Sequence, residues 1–157
     1  IRWHRDALVP AVLDRVRARL DAQGRTYQVL RYGAHNLANF KSALKASRTM
    51  VFLCEHETQG LAYQEALAAD VPVLAWDERK LIDPFLAPFA GPALDVRTAP
   101  YFDERCGRTF TLEAFDAEFD TFWRERETYR PRAYVAEHLS LERAAATYAE
   151  LYDRLRN

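Results

Sequence analysis

The sequence predicts an α/β fold, a Rossmann-like parallel sheet with helices on both faces. Three observations carry this. Two short apolar runs, Met50–Cys54 (MVFLC) and Val71–Trp76 (VPVLAW), have the character of strands covered on both sides. Segments of helical periodicity lie before, between and after them. The resulting β-α-β-α-β order calls for parallel strands joined by crossover helices. A length of 157 residues suits one domain with a real core.

Each element has its own justification. Leu8, Val9, Val12, Leu13, Val16 and Leu20 recur at helical spacing, and Asp21–Gly24 ends that helix with glycine at the C′ position. Tyr27–Arg31 (YQVLR) is β-prone and bounded by turn residues, which predicts a strand. Asn36 is placed to cap a helix running to about Ala46, with Leu37, Phe40 and Leu44 on its apolar face. Met50–Cys54 follows as a strand, Thr58–Ala69 as an Ala-rich helix and Val71–Trp76 as the next strand. Ile1–Trp3 reads as the end of a strand or as a very short one. Pro84, Pro88 and Pro92 break any long helix between Asp77 and Thr98, and Ala93–Val96 reads as a short strand. Thr111 caps a helix with Leu112, Phe115, Phe119, Phe122 and Trp123 on one stripe. That stripe reads as core. Arg132–Leu139 is a short helix after Pro131, and Ser140 caps a last one bearing Leu141, Ala144, Ala145, Tyr148, Leu151, Tyr152 and Leu155. These C-terminal helices are expected to close over the sheet.

Composition narrows the function. A net charge of −1 gives no basic footprint for nucleic acid. No apolar run approaches the roughly 18 residues of a membrane span. Two cysteines, Cys54 and Cys106, are too few for a disulfide scaffold and fit a reducing, cytoplasmic setting. Cys54 reads as a strand-end core residue and Cys106 as a turn residue. The chain opens at Ile1 and holds one methionine, Met50, which predicts a piece of a longer protein. There is no phosphate-binding Walker loop and no dinucleotide fingerprint. His56 between Glu55 and Glu57 predicts no metal centre, because adjacent side chains on a loop do not converge on one point.

The densest segment for chemistry is Cys54–Trp76. Glu57 sits at the turn between a buried strand and a helix, and Glu65 lies two turns into that helix. Ligands of open α/β sheets bind at the carboxyl ends of strands. There the backbone N–H groups of Thr58, Gln59, Gly60 and Leu61 would meet the positive end of the helix dipole, an arrangement suited to a diphosphate. Gly60 would let the backbone approach the ligand closely. His4 and Arg5 have two readings, a phosphate contact or a solvated end. Tyr32 likewise has two, stacking on a base or packing.

The segment Glu57–Val73, ETQGLAYQEALAADVPV, resembles the pattern E-G-F-G-L-x-x-x-E-A-x-A-x-G-x-P-V of the donor-binding half of GT-B, family 4-like retaining glycosyltransferases. Upstream, Tyr32–Gly33 and the helix end Leu44–Arg48 (LKASR) are similar to the stretch preceding that motif, and downstream Tyr134–Tyr152 is similar to the family's closing helices. Thr58 stands where the family has its first glycine, and Asp70 where a glycine is common. The resemblance implies that Glu57 touches the donor sugar near the reacting centre, as the catalytic position. It implies that Glu65 holds the nucleotide ribose and that Thr58–Leu61 bind the diphosphate. The family's diphosphate-gripping Arg and Lys have Arg2 and Arg5 as their nearest counterparts here, with no matching Lys. The implied partners are a nucleotide-sugar donor, an acceptor of unknown kind and an N-terminal acceptor domain outside this chain. No metal and no other cofactor is implied, and the fragment alone would be inactive. Two other readings stand beside this one, a GT-B-type nucleotide-sugar epimerase and a non-catalytic α/β binding module.

Overall fold

A computed structural model describes residues 8–81, 87–89, 91 and 95–156. Arg2, Arg5, His4 and the strand expected at Ile1–Trp3 lie outside the described residues, as do Ala93 and Leu94 of the expected strand Ala93–Val96. Helix α1 spans Leu8–Ala22, α2 Leu37–Ala46, α3 Leu61–Ala68, α4 Phe115–Glu125, α5 Pro131–His138 and α6 Leu141–Arg156. Strand β1 spans Met50–Phe52, β2 Val73–Trp76 and β3 Gly107–Phe110. They form one parallel sheet in the order β1-β2-β3, with Met50 opposite Val73 and Val73 opposite Gly107. The α/β class with a parallel sheet is therefore as expected.

Strand β2 explains the layering. All four of its side chains are buried, and alternate residues face opposite ways. Val73 and Ala75 join a core with Phe40 and Leu44 of α2, Tyr63, Ala66 and Leu67 of α3, and Tyr134 of α5. Leu74 and Trp76 join the other core, with Val12 and Val16 of α1 and Phe115, Phe119 and Phe122 of α4. Helices thus cover both faces, and the aromatic stripe of α4 is core.

The α1–α4 layer is also tied electrostatically. Arg15 pairs with Asp116 at 2.6 Å and donates to the Leu112 carbonyl at 2.9 Å. Arg19 pairs with Asp120 one turn further on. Beyond the helix, Arg25 stacks over the Trp123 ring at 4.0 Å.

Local signals account for most helix ends. Gly24 closes α1 at φ 61°, and the Asn36 side chain accepts from the Asn39 N–H at 2.8 Å. Pro131 opens α5, and Ser140 Oγ accepts from the Arg143 N–H at 3.2 Å at the start of α6. Thr111 Oγ1 accepts from the Ala114 N–H, so it caps a turn just before α4 rather than the helix itself. Helix α5 packs on α3, whereas no residue of α6 is buried and Leu141, Tyr148, Leu151, Tyr152 and Leu155 are all exposed.

Three expectations are corrected. Tyr27–Arg31 is not a strand: it pairs with no strand among the described residues, and Tyr27, Val29 and Leu30 are each more than a third exposed. β-prone side chains make a strand only where a neighbour takes up the backbone N–H and C=O groups. Strand β3 was not foreseen. It has four residues, with a glycine and an arginine among them, and is recruited by the ladder that β2 offers. The α3 helix begins at Leu61, three residues later than predicted, because Gly60 holds a left-handed conformation at φ 73°.

Candidate functional site

The strands run parallel, so their carboxyl ends lie on one side of the sheet. Cys54–Gly60 follows β1 there, Asp77–Lys80 follows β2 and Thr111 follows β3. Glu57, Thr58, Gln59, Gly60 and Leu61 are therefore brought to the carboxyl end of the sheet, at the N-terminus of α3. A second loop pins this turn. Thr98, fully buried, donates from Oγ1 to the Cys54 carbonyl at 3.1 Å, and the Glu57 N–H donates to the Arg97 carbonyl at 3.2 Å. The Tyr101 N–H donates to the Tyr63 hydroxyl at 3.0 Å.

The Glu57 N–H is thus engaged, while among the described residues those of Thr58, Gln59, Gly60 and Leu61 meet no acceptor. The first N–H groups of any α-helix lack an intrahelical partner and carry the positive end of its dipole. The Gln59 carbonyl accepts from the Gln64 side chain, which further fixes the turn. No acidic residue occupies the first turn of α3 to compete with an anion.

Gly60 also has a structural reason besides the one expected. A Cβ there would lie 2.0 Å from Cε1 and 2.6 Å from Cδ1 of Tyr63. The missing side chain makes room for a buried ring of the protein itself, and the left-handed backbone adds its own demand for glycine. Gly60 is buried, so it shapes the turn from beneath.

The two glutamates occupy different surroundings. Glu57 is half-buried, and its Oε1 lies 3.7 Å from Cys54 Sγ, which also donates to the His56 carbonyl at 3.1 Å. Burial, then the nearby Glu57 charge, push the Cys54 thiol up to about 12, so it stays protonated and is no nucleophile. Glu65 stands on the solvent face of α3 with Leu61 and Ala68, opposite the buried Tyr63, Ala66 and Leu67. It lies one helical turn from the start of α3 rather than two, about 6 Å along the axis.

Cations that sequence reasoning did not single out stand at the same end of the sheet. Arg79 and Lys80 are exposed just beyond β2, where the Asp77 carboxylate accepts from the Arg79 N–H at 3.1 Å and Arg79 holds φ 51°. Arg97, whose carbonyl meets the Glu57 N–H, pairs through Nε with Asp95 at 2.9 Å. No periodicity marks these loops, and only the topology brings them together. Among the described residues no group of three or more His, Cys, Asp or Glu is arranged to hold a metal ion, and no helix is long and apolar enough to cross a membrane. Comparison with protein-family models, with curated proteins and with solved structures gives no match.

Proposed function

We propose that this chain is the donor-binding half of a retaining glycosyltransferase of the GT-B kind. It would take a sugar from a nucleotide-diphosphate donor and pass it to an acceptor held by an N-terminal domain outside this chain. The supporting observation is the turn Glu57–Leu61: a half-buried carboxylate followed by four N–H groups at a helix start that meet no acceptor among the described residues, all at the carboxyl end of a parallel sheet.

In this reading the N–H groups of Thr58–Leu61 and the α3 dipole offset charge on the departing diphosphate. Glu57 touches the sugar hydroxyls near the reacting carbon. Glu65, one turn along the exposed face of α3, accepts hydrogen bonds from the ribose. Arg79, Lys80 and Arg97 are cations at the same end of the sheet that can assist the diphosphate, alongside the sequence candidates Arg2 and Arg5. The chain alone turns nothing over, because the acceptor is not bound within it.

Calorimetric titration with UDP, GDP and ADP tests the reading. One of the three is expected to bind, and Glu65→Ala is expected to weaken it by about 1.5–3 kcal/mol, the scale of charge-assisted hydrogen bonds. No binding by any of them, or unchanged binding in a folded Glu65→Ala variant, would favour the non-catalytic module.

A further inference from the structure

A cavity of about 540 Å³ opens at the amino end of the sheet, on the side opposite Glu57. Its wall includes Val71 and Pro72, just before β2, and Ser47 and Arg48, just before β1. Four cations line it, Lys45, Arg48, Arg126 and Arg130, against two carboxylates, Asp70 and Glu127. The cations come from separate places: the last turn of α2, the turn after it, the C-cap of α4 and the N-cap of α5.

Internal pairing uses only part of this charge. Among the described residues no carboxylate lies within 4.0 Å of Lys45 or Arg48. Glu127 pairs with Arg126 Nη2 at 2.9 Å, and Asp70 accepts the Arg132 backbone N–H at 3.3 Å. Arg126 Nη1 donates to the Trp123 carbonyl, while its Nε is buried and has no partner among the described residues. Arg130 uses Nη1 on the Glu127 and Tyr129 carbonyls, at 2.8 and 2.6 Å.

Helix dipoles explain some of these cations but not all. Lys45 closes α2, where a positive charge balances the carbonyl end. Arg48 lies outside any helix. Arg130 caps the positive end of α5, a helix with no acid in its first turn. A cation there is electrostatically costly unless an anion joins it.

We propose that this cavity is an anion site for a phosphate chain carrying several negative charges. Guanidinium forks match phosphate oxygens in geometry, and Lys45 adds a point charge. The volume is in the range of small-molecule sites, larger than a single phosphate needs. The site is separate from the donor turn and does not depend on the glycosyltransferase reading.

The test uses the whole chain with inorganic tripolyphosphate at fixed ionic strength, followed by amide NMR and calorimetry. Tripolyphosphate is expected to shift the amides of Lys45–Arg48, Asp70, Val71 and Arg126–Arg130. The double variant Lys45→Ala/Arg48→Ala alters side chains with no ion pair among the described residues, and it should lower affinity at least tenfold. Asp70→Asn should raise affinity severalfold, since asparagine keeps an acceptor for the Arg132 N–H and removes a negative charge. Shifts confined to residues 57–61, no binding, or affinity indifferent to both changes would overturn the proposal. If the double variant fails to fold, the Asp70→Asn comparison decides alone.

Discussion

Replacing Gly60 by alanine is the sharpest test of how the turn is built. Two costs arise from one added carbon. At φ 73° the backbone is left-handed, which costs an L-residue about 1–2 kcal/mol. The new Cβ would also sit 2.0 Å from Tyr63 Cε1, where carbon atoms need about 3.5–4 Å. The ring must therefore retreat by roughly 1.5 Å. It has little room, being fully buried with its centroid 5.5 Å from Phe52 and 6.3 Å from Phe102. Overpacking of this kind costs about 1–3 kcal/mol, and losing the hydroxyl bond to the Tyr101 N–H adds about 1 kcal/mol. The expected destabilisation is about 3–6 kcal/mol, a large share of the roughly 5–15 kcal/mol typical of a domain. Urea unfolding followed by circular dichroism measures it as a fall in midpoint at constant slope. A second measurement isolates the clash. In a Tyr63→Leu background the same change should cost only the backbone term, a coupling of about 2 kcal/mol or more. Equal costs in both backgrounds, or a Gly60→Ala change within about 0.5 kcal/mol of the parent, would refute the reasoning.

Three further outcomes are expected. Thr98→Val removes the bond to the Cys54 carbonyl and should cost about 1 kcal/mol, with faster hydrogen exchange at the Glu57 amide, whose acceptor is the neighbouring Arg97 carbonyl. Burial raises the thiols of Cys54 and Cys106 from 9.0 to about 12, and the phenols of Tyr129 and Tyr134 from 10.0 to about 12. The folded state then holds these protons longer than the unfolded one, so their contribution is complete below pH 9 and is lost as pH rises towards 12; denaturation midpoints at pH 8, 10 and 11 should fall in that order. In the two-domain protein that the proposed function requires, Glu57→Ala should lower turnover by two to three orders of magnitude, about 3–4 kcal/mol, with nucleoside diphosphate affinity nearly unchanged. Parental turnover in that variant would leave Glu57 as a structural turn residue.

The helices were legible because each carries a periodic apolar face and, in most cases, a readable cap. Asn36 and Ser140 cap as their side chains imply, and Pro131 opens α5. Strands β1 and β2 were legible as apolar runs. Strand β3 was not, since Gly107 is there for a tertiary reason: a Cβ on it would lie 2.0 Å from the Val73 carbonyl oxygen. Tyr27–Arg31 failed in the opposite way, having strand propensity and no strand partner among the described residues. At the site, the position of Glu57 and the following N–H groups could be inferred from strand–turn–helix order. The approach of Arg97 and Thr98 could not, because a contact across forty or more residues leaves no local signal.

The pairing of α1 with α4 has a consequence for how the chain is made. Arg15 and Asp116, like Arg19 and Asp120, are 101 positions apart. During synthesis at roughly 5–20 residues per second, α1 leaves the ribosome about 5–20 s before α4 exists to receive it. Through that interval Val12, Val16 and Leu20 have no α4 to pack against. A fifteen-residue helix is marginal by itself in water, so the nascent segment is a natural client for a chaperone that shields apolar stretches. Docking of α1 onto α4 must wait until both halves are complete, and this late closure sets the interval in which the half-made chain can associate with its neighbours.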